Sequence, residues 1–225
     1  MRLNVADIRE HFKQELDAER FTTDRTGSKT IELIGASFIA DEAAIFGELN
    51  MDYVMAELQW YASGSTNIND IYEDKEPPAA WKYTANKHGE INSNYGLLID
   101  SPKYYNQYKR AVAELVGNPD SRRAIMVYNR PSIWEEFNEN GKNDFICTNA
   151  ATYYIRDNVA HACVQMRSND VVFGYKNDRA WAAAVLEDLV VDYNAQVEGA
   201  NLEAGNIYWQ VQNLHVYERH FHLVK

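Results

Sequence analysis

The chain has 225 residues, and its 22 Lys and Arg against 33 Asp and Glu give a formal charge of −11 at pH 7. This acidity argues against a nucleic-acid polymer or an anionic membrane surface as the main partner, because both are bound through basic patches. Apolar residues make up 46% of the chain. We therefore expect a well-packed core, in a single domain covering residues 1–225.

Hydrophobic periodicity and turn residues predict a mixture of helices and strands. Asn4 is predicted to cap a first helix with Val5, Ile8 and Phe12 on its apolar face, and residues 24–28 are predicted to form a turn. Further helices are predicted over residues 51–62, 102–116 and 178–193, the last capped by Asp178. Strands are predicted over residues 30–39, 124–128, 150–156, 160–166 and 207–211, and Asp157-Asn158 predicts a hairpin turn between the third and the fourth. This mixture favours an α/β or α+β fold built on one mixed sheet.

Two cysteines and one glutamate are candidates for chemistry. Cys147 precedes a predicted strand, where it is either an inert buried side chain or a nucleophile that needs nearby positive charge. Cys163 lies within a strand and is predicted to belong to the core. Glu57 interrupts an apolar helical stretch, so it is either solvent-exposed or a partly buried carboxyl that can transfer protons. Two cysteines without a disulfide pattern also predict a cytoplasmic location.

Basic side chains are few, and several lie next to polar turn residues. Arg25, Arg122, Arg123 and Arg167 are either solvated surface residues or a cluster that binds a small phosphate monoester, with the Ser168 hydroxyl as an additional donor. The three histidines near the end of the chain lack further ligands at zinc-like spacing, so no metal is predicted.

Six segments in this order resemble motifs of the thymidylate synthase family. They are residues 24–27 (DRTG), 57–60 (ELQW) with 64–68 (GSTNI), 119–123 (PDSRR), Cys147, 165–171 (QMRSNDV) and 214–217 (LHVY). The resemblance covers nearly the whole chain. It implies a large mixed β-sheet packed with helices, one face of which forms a homodimer interface. It also implies 5,10-methylenetetrahydrofolate as co-substrate and no metal.

The resemblance also implies roles for individual residues. Cys147 would attack carbon 6 of a pyrimidine nucleotide, and Glu57 would organise water and proton transfers. The phosphate would be held by the four arginines and Ser168, with Arg122 and Arg123 supplied by a second subunit, and this positive charge would favour the Cys147 thiolate. Further substrate contacts are implied for Asn169, Asp178, His215 and Tyr217. Folate contacts are implied for Trp81, Tyr95, Asp170 and Gly174.

Two departures from the family pattern resemble its deoxycytidylate hydroxymethylase branch. Ile146 and Thr148 flank the cysteine in place of the usual proline and histidine, and Asp178 replaces the asparagine that reads uracil. A carboxyl group can accept from the amino group of cytosine and favour protonation of its ring nitrogen. The resemblance therefore implies addition of water, giving 5-hydroxymethyl-dCMP from dCMP, in the host cytoplasm if the protein is phage-encoded.

Three alternatives stay open from the sequence. The substrate could be CMP, as in nucleoside-antibiotic pathways, or the protein could methylate dUMP as a thymidylate synthase does. A catalytically silent nucleotide- or RNA-binding member is disfavoured by the presence of Cys147 and Glu57 and by the acidic charge. The family chain usually continues past the position of Lys225, so either this sequence is truncated or the site closes in another way.

Overall fold

The structure is a computed structural model that describes residues 3–225, so residues 1 and 2 of the predicted domain lie outside it. Its strands are β1 (Leu3–Asn4), β2 (Thr22–Thr23), β3 (Lys29–Ile39), β4 (Ile125–Val127), β5 (Thr148–Arg156), β6 (Val159–Met166), β7 (Asn169–Asp170) and β8 (Glu203–Tyr217). Its α-helices are α1 (Val5–Asp17), α2 (Met51–Ser63), α3 (Ala79–Thr84), α4 (Tyr95–Asp100), α5 (Gln107–Gly117), α6 (Ile133–Glu136) and α7 (Gly174–Gln196). Short 3₁₀ helices cover Ile68–Ile71, Pro102–Tyr104, Glu139–Gly141 and Glu218–Leu223.

Within residues 3–225, the strands form one mixed sheet in the order β1-β3-β8-β6-β5-β4, with β2 beside β3 and β7 beside β8. The long strand β8 is antiparallel to β3 and parallel to β6. Strands β5 and β6 form the predicted hairpin, whose turn residues Asp157 and Asn158 both have positive φ. Asp and Asn tolerate this conformation, which matches the twist of a two-residue hairpin. The predicted mixed sheet is confirmed.

One face of the sheet holds the core. Residues directly opposite each other on paired strands share a face, and the row Met126, Ala151, Val164, Trp209 and Phe38 crosses five strands with no member more than 3% exposed. Helix α7 packs against β6 and β8. This packing holds the beginning of α7 beside the ends of the strands that carry the candidate site.

The opposite face of the sheet is largely open in the single chain. Its corresponding row is Ile125, Thr152, Cys163, Tyr208 and Ile39, all exposed or half-buried. Cys163 therefore does not lie in the core as predicted, because its strand position turns it away from the helices. An open face with apolar members is what a dimer interface requires, and the interface itself stays a prediction.

Several predicted elements differ from the structure in their extent. The predicted helix over 102–116 is interrupted, because Tyr105 and Asn106 adopt positive φ between a 3₁₀ turn and α5. Helix α7 begins at Gly174, so Asp178 lies inside the helix and does not cap it. The predicted strand over 207–211 is the middle of β8, which has 15 residues. The Asn4 cap is confirmed and forms a capping box with Asp7.

None of the helices described in residues 3–225 is long and apolar enough to cross a bilayer. In the same residues, no group of three or more His, Cys, Asp or Glu side chains is arranged to hold a metal ion.

Candidate active site

Cys147 and Arg167 lie side by side at the ends of two neighbouring strands. Cys147 comes just before β5, and Arg167 just after β6, where its backbone N–H donates to the Cys147 carbonyl at 2.9 Å. The Arg167 guanidinium donates to the carbonyls of Phe145 and Ile146 and lies 3.5 Å from Cys147 Sγ. The loop before the cysteine therefore fixes the arginine beside the thiol.

The Cys147 thiol is mostly protonated in the chain by itself. Burial raises its pKa to about 11, while Arg167 opposes the shift and the nearby carboxyls of Asp178 and Asp144 add to it. Desolvation disfavours the thiolate more than one guanidinium favours it. Arg167 therefore favours the thiolate in the predicted direction, but burial has the larger effect. The isolated chain brings only this one of the four predicted arginines to the sulfur, so a thiolate favoured by the full cluster stays a prediction.

Glu57 is buried in α2 and held by two donors. It is 5% exposed, and its Oε1 accepts from the Tyr53 hydroxyl and from Trp81 Nε1, the latter at 3.0 Å. Burial raises the pKa of Glu57, and the two hydrogen bonds partly offset the shift. No hydrogen bond to Oε2 occurs among residues 3–225. The carboxyl is therefore fixed through one oxygen and free to exchange a proton through the other.

Tyr53 was not predicted as a site residue. It lies four residues before Glu57 on the same helix, a spacing that places two side chains on one face. This spacing in the sequence could have identified Tyr53 as a neighbour of Glu57. Trp81, predicted as a folate contact, directs its indole N–H at Glu57 and at the Tyr53 hydroxyl, both at 3.0 Å. Its predicted folate contact stays a prediction.

Asp178 lies on α7, close enough to Glu57 and Cys147 for the charges of these groups to affect one another. Its Oδ2 accepts from Asn169 Nδ2 at 2.7 Å. Burial and the nearby Glu57 raise the pKa of Asp178 to about 8, against the effect of the Asn169 hydrogen bond. Asn169 is 4% exposed, and its Oδ1 accepts from Trp209 Nε1 at 3.2 Å. At neutral pH the carboxyl therefore carries a proton in most molecules.

Thr148 and Tyr95 form a hydrogen bond behind the cysteine. The threonine Oγ1 donates to the tyrosine hydroxyl at 3.0 Å, and Tyr95 is 4% exposed. The Tyr95 ring stacks on Tyr61, with 5.2 Å between the ring centroids. Tyr95 thus contributes to the packing behind Cys147, and its predicted folate contact stays a prediction.

The three other predicted phosphate-binding arginines are exposed, and Ser168 is half-buried. Arg25 lies in the turn closed by Asp24, which accepts from the backbone of Thr26 and Ser28. Arg122 makes no ion pair in the described part of the chain, and Arg123 pairs with Glu114 at 3.0 Å. Among residues 3–225, neither Arg122 nor Arg123 contacts Cys147 or Arg167. This exposure fits a role in a second subunit and does not test it.

The end of β8 carries the predicted sugar contacts, His215 and Tyr217, whose ring centroids are 5.0 Å apart. Beside them, Asp170 accepts through Oδ1 from the backbone N–H groups of Val172 and Phe173. Its Oδ2 is buried without a hydrogen-bond partner among the described residues. A buried acceptor without a donor is costly in a protein interior, so this oxygen is a candidate ligand contact.

The family follows from comparison with known proteins. Residues 9–225 match the family model described as thymidylate synthase. The chain belongs to the thymidylate synthase family. The deoxycytidylate 5-hydroxymethyltransferases of Enterobacteria phages T4 and T6 are each 51% identical to it over 222 residues, covering 99% of this chain and 89% of each relative. The predicted resemblance to the family and to its hydroxymethylase branch is confirmed.

A solved structure of the same family has the same fold. The crystal structure of thymidylate synthase from T4 phage aligns with a TM-score of 0.74 and 22% identity, covering 96% of this chain and 77% of that chain. The predicted fold class is confirmed. The roles of single residues stay predictions, because at this identity the likeness concerns the backbone.

Proposed function

We propose that this family member is a deoxycytidylate 5-hydroxymethyltransferase, which converts dCMP, 5,10-methylenetetrahydrofolate and water to 5-hydroxymethyl-dCMP and tetrahydrofolate. The observation that carries the proposal is the Asp178 carboxyl, which interacts electrostatically with Cys147 and Glu57. The phage relatives at 51% identity bear that enzyme's name and support the same assignment.

Asp178 suits the cytosine base. Cytosine presents a ring nitrogen that accepts and an amino group that donates, so a neutral carboxyl can give a proton to one and accept from the other. The raised pKa keeps Asp178 protonated near neutral pH. Transfer of this proton toward the ring nitrogen stabilises the negative charge that develops when carbon 6 is attacked.

Cys147 is the proposed nucleophile. Its Sγ forms a bond to carbon 6 of the pyrimidine, which makes carbon 5 nucleophilic toward the one-carbon unit. Carbon 5 bonds to the methylene carbon of the folate and then loses its proton, and tetrahydrofolate leaves as its nitrogen–methylene bond breaks. Water adds to the resulting exocyclic methylene before the S–C6 bond breaks. Glu57 is the proposed proton carrier, because its Oε1 is held by Tyr53 and Trp81 while Oε2 has no such bond among the described residues.

The folate co-substrate supplies the one-carbon unit. The orphaned Oδ2 of Asp170 fits a ligand with N–H donors, such as the amino-substituted edge of a pterin. The Trp81 ring lies next to Glu57, and Gly174 keeps the backbone of α7 close to Asp170. These residues, with Tyr95 beneath them, are the proposed folate contacts, and the proposal involves no metal.

The phosphate and sugar sites complete the proposal. Arg25, Arg167 and Ser168 are the proposed phosphate ligands, and Asn169, His215 and Tyr217 line the nucleoside site. Arg122 and Arg123 are proposed to reach the phosphate of a second copy, across a homodimer formed by the open sheet face. The partners are then small nucleotides and folate, without a nucleic-acid polymer or a membrane. The cytoplasmic location stays a prediction.

The test is mass spectrometry of the products from dCMP, CMP and dUMP, each incubated with methylenetetrahydrofolate. We expect a hydroxymethylated product chiefly from dCMP and none from Cys147→Ser. A hydroxymethylated product chiefly from CMP would identify the ribonucleotide enzyme. A methylated product from dUMP, accompanied by dihydrofolate, would identify a methylating synthase. Either result would overturn the proposal.

A further inference from the structure

The carboxamide of Asn169 lies between Trp209 and Asp178. Its oxygen accepts from Trp209 Nε1 at 3.2 Å, and its nitrogen donates to Asp178 Oδ2 at 2.7 Å. Trp209 is fully buried, and its indole N–H can only donate. The amide oxygen must therefore face the indole, and the NH₂ group must face the aspartate. Because Trp209 can only donate, it fixes the orientation of the Asn169 amide.

The orientation of the amide determines the polarity of Asp178. A neutral carboxyl group can carry its proton on either oxygen, so by itself it can present donor and acceptor in either order. The N–H from Asn169 makes Oδ2 an acceptor and disfavours a proton there. The proton of the neutral acid is then carried by Oδ1. The raised pKa of Asp178 indicates that this neutral form predominates at pH 7.

Cytosine and uracil differ by the reversal of the same two groups. Cytosine accepts at its ring nitrogen and donates from its 4-amino group, whereas uracil donates from the ring nitrogen and accepts at its 4-oxygen. A carboxyl group that is free to move its proton could bind either base. A carboxyl group whose polarity is fixed can bind one base well and leaves unpaired or opposed groups with the other, which is the stronger source of discrimination.

We propose that Asn169, oriented by Trp209, is a specificity-determining positioning residue that selects cytosine by fixing the polarity of Asp178. In this arrangement Oδ1–H faces the ring nitrogen, and Oδ2 accepts from both the 4-amino group and Asn169. The aspartate alone is therefore not the specificity element. The proposal rests on the proposed function, because it assumes dCMP as the substrate.

The experiment compares kcat/KM for dCMP with kcat/KM for dUMP, read as release of the carbon-5 proton, in Asn169→Ala and Trp209→Phe. Removing the amide lets Asp178 place its proton on either oxygen, and removing the indole N–H lets the amide reverse. We expect the ratio to fall at least about tenfold in both variants, the effect of one mismatched hydrogen bond. A merely structural role would lower both rates together and leave the ratio unchanged.

Trp60→Phe is the matched control. Trp60 is 2% exposed, and its Nε1 donates to the Asn67 carbonyl at 3.0 Å, away from Asp178. We expect its ratio to equal that of the wild type. Should Trp209→Phe fail to fold, Asn169→Ala carries the test, because it removes only a few atoms.

The outcomes separate the two proposals. An unchanged ratio in folded Asn169→Ala, with wild-type protein active on dCMP, would overturn the polarity proposal and leave the proposed function intact. Absence of hydroxymethyl-dCMP from the wild type would overturn the proposed function itself. If the ratio changed in Asn169→Ala but not in Trp209→Phe, Asn169 would fix the polarity of Asp178 without the indole of Trp209, and the role proposed for Trp209 would be overturned.

Discussion

Trp81 donates its indole N–H to Oε1 of Glu57 over 3.0 Å, which joins a predicted folate contact to the predicted proton carrier. The two side chains come from different helices, α3 and α2. The position of the carboxyl therefore depends on the packing of a short helix that the sequence did not predict. The Tyr53 hydroxyl donates to the same oxygen, so a second donor can be removed without touching the folate contact.

Tyr53→Phe tests the role of that second donor. Its hydrogen bond lowers the pKa of Glu57, so its loss should raise this pKa further. We expect kcat for dCMP to fall about tenfold and the limb of the pH–rate profile due to Glu57 to move to higher pH. Tyr72→Phe is the control, because its ring lies next to Tyr53 but makes no hydrogen bond to Glu57 among the described residues. An unmoved limb in Tyr53→Phe would contradict the prediction.

Asp178→Asn should change how stability depends on pH. Burial raises the pKa of Asp178 from 3.8 to about 8 in the folded chain. The unfolded chain loses this proton above pH 4 and the folded chain keeps it until about pH 8, so the carboxyl costs stability increasingly across that window. At about 1.4 kcal/mol per pKa unit, we expect the variant to gain about 5 kcal/mol relative to wild type between pH 4 and pH 8. Urea unfolding at both pH values measures this gain, and a constant difference would contradict the raised pKa.

The same variant reports on base recognition. An amide in place of the carboxyl resembles the uracil-reading asparagine of the family, so preference should move toward dUMP. The measurement is the ratio of kcat/KM for the two nucleotides. An unchanged ratio would show that Asp178 does not read the base.

Gly174→Ala should act through Asn169. A Cβ at this position would lie 3.0 Å from Asn169 Nδ2, closer than most real contacts, so the amide must shift by a few tenths of an ångström, which alters its hydrogen bond to Asp178. We expect kcat/KM for dCMP to fall about tenfold while the folded state is retained. Gly117→Ala is the control, since a Cβ there meets nothing within 4 Å and the backbone has no positive φ. Equal kinetics in both variants would show that the amide tolerates the methyl group.

Mixing two inactive variants tests the shared phosphate site. A chain with Arg122→Ala and Arg123→Ala keeps Cys147, and a Cys147→Ser chain keeps both arginines. If the arginines act across the dimer, half of the randomly mixed dimers have one complete site, which restores about a quarter of wild-type activity. Glu57→Gln mixed with Cys147→Ser should restore none, because both residues belong to one chain's site. Rescue in that control would refute the proposed division of the site.

Many of the helices, strands and turns could be predicted from the sequence, because the patterns that indicate them are local. The Asn4 cap, the Asp157-Asn158 turn and the apolar runs of the strands each depend on a few consecutive residues. The break at Tyr105 and Asn106 was missed because neither Gly nor Pro marks it. The outward position of Cys163 depends on strand register, which the apolar neighbours of the cysteine did not reveal.

The family motifs predicted which residues form the candidate site, but they did not predict the pKa shifts and hydrogen bonds of those residues. The upward pKa shift of Cys147 depends on how deeply it is buried, a property of the whole fold. The contact between Asn169 and Trp209 joins two strands across 40 residues of sequence. No local pattern predicts that contact, so the hydrogen-bond chain behind Asp178 became visible only in the structure.

Strand β8 contributes residues both to the open sheet face and to the proposed nucleotide site. Tyr208 lies in the outer row, whereas His215 and Tyr217 lie at the end of the strand and are proposed nucleotide contacts. On the proposed dimer, each nucleotide bound would tighten subunit association, and association would tighten nucleotide binding by the same factor. Apparent affinity for the nucleotide would then weaken on dilution of the enzyme, so its value has meaning only at a stated protein concentration.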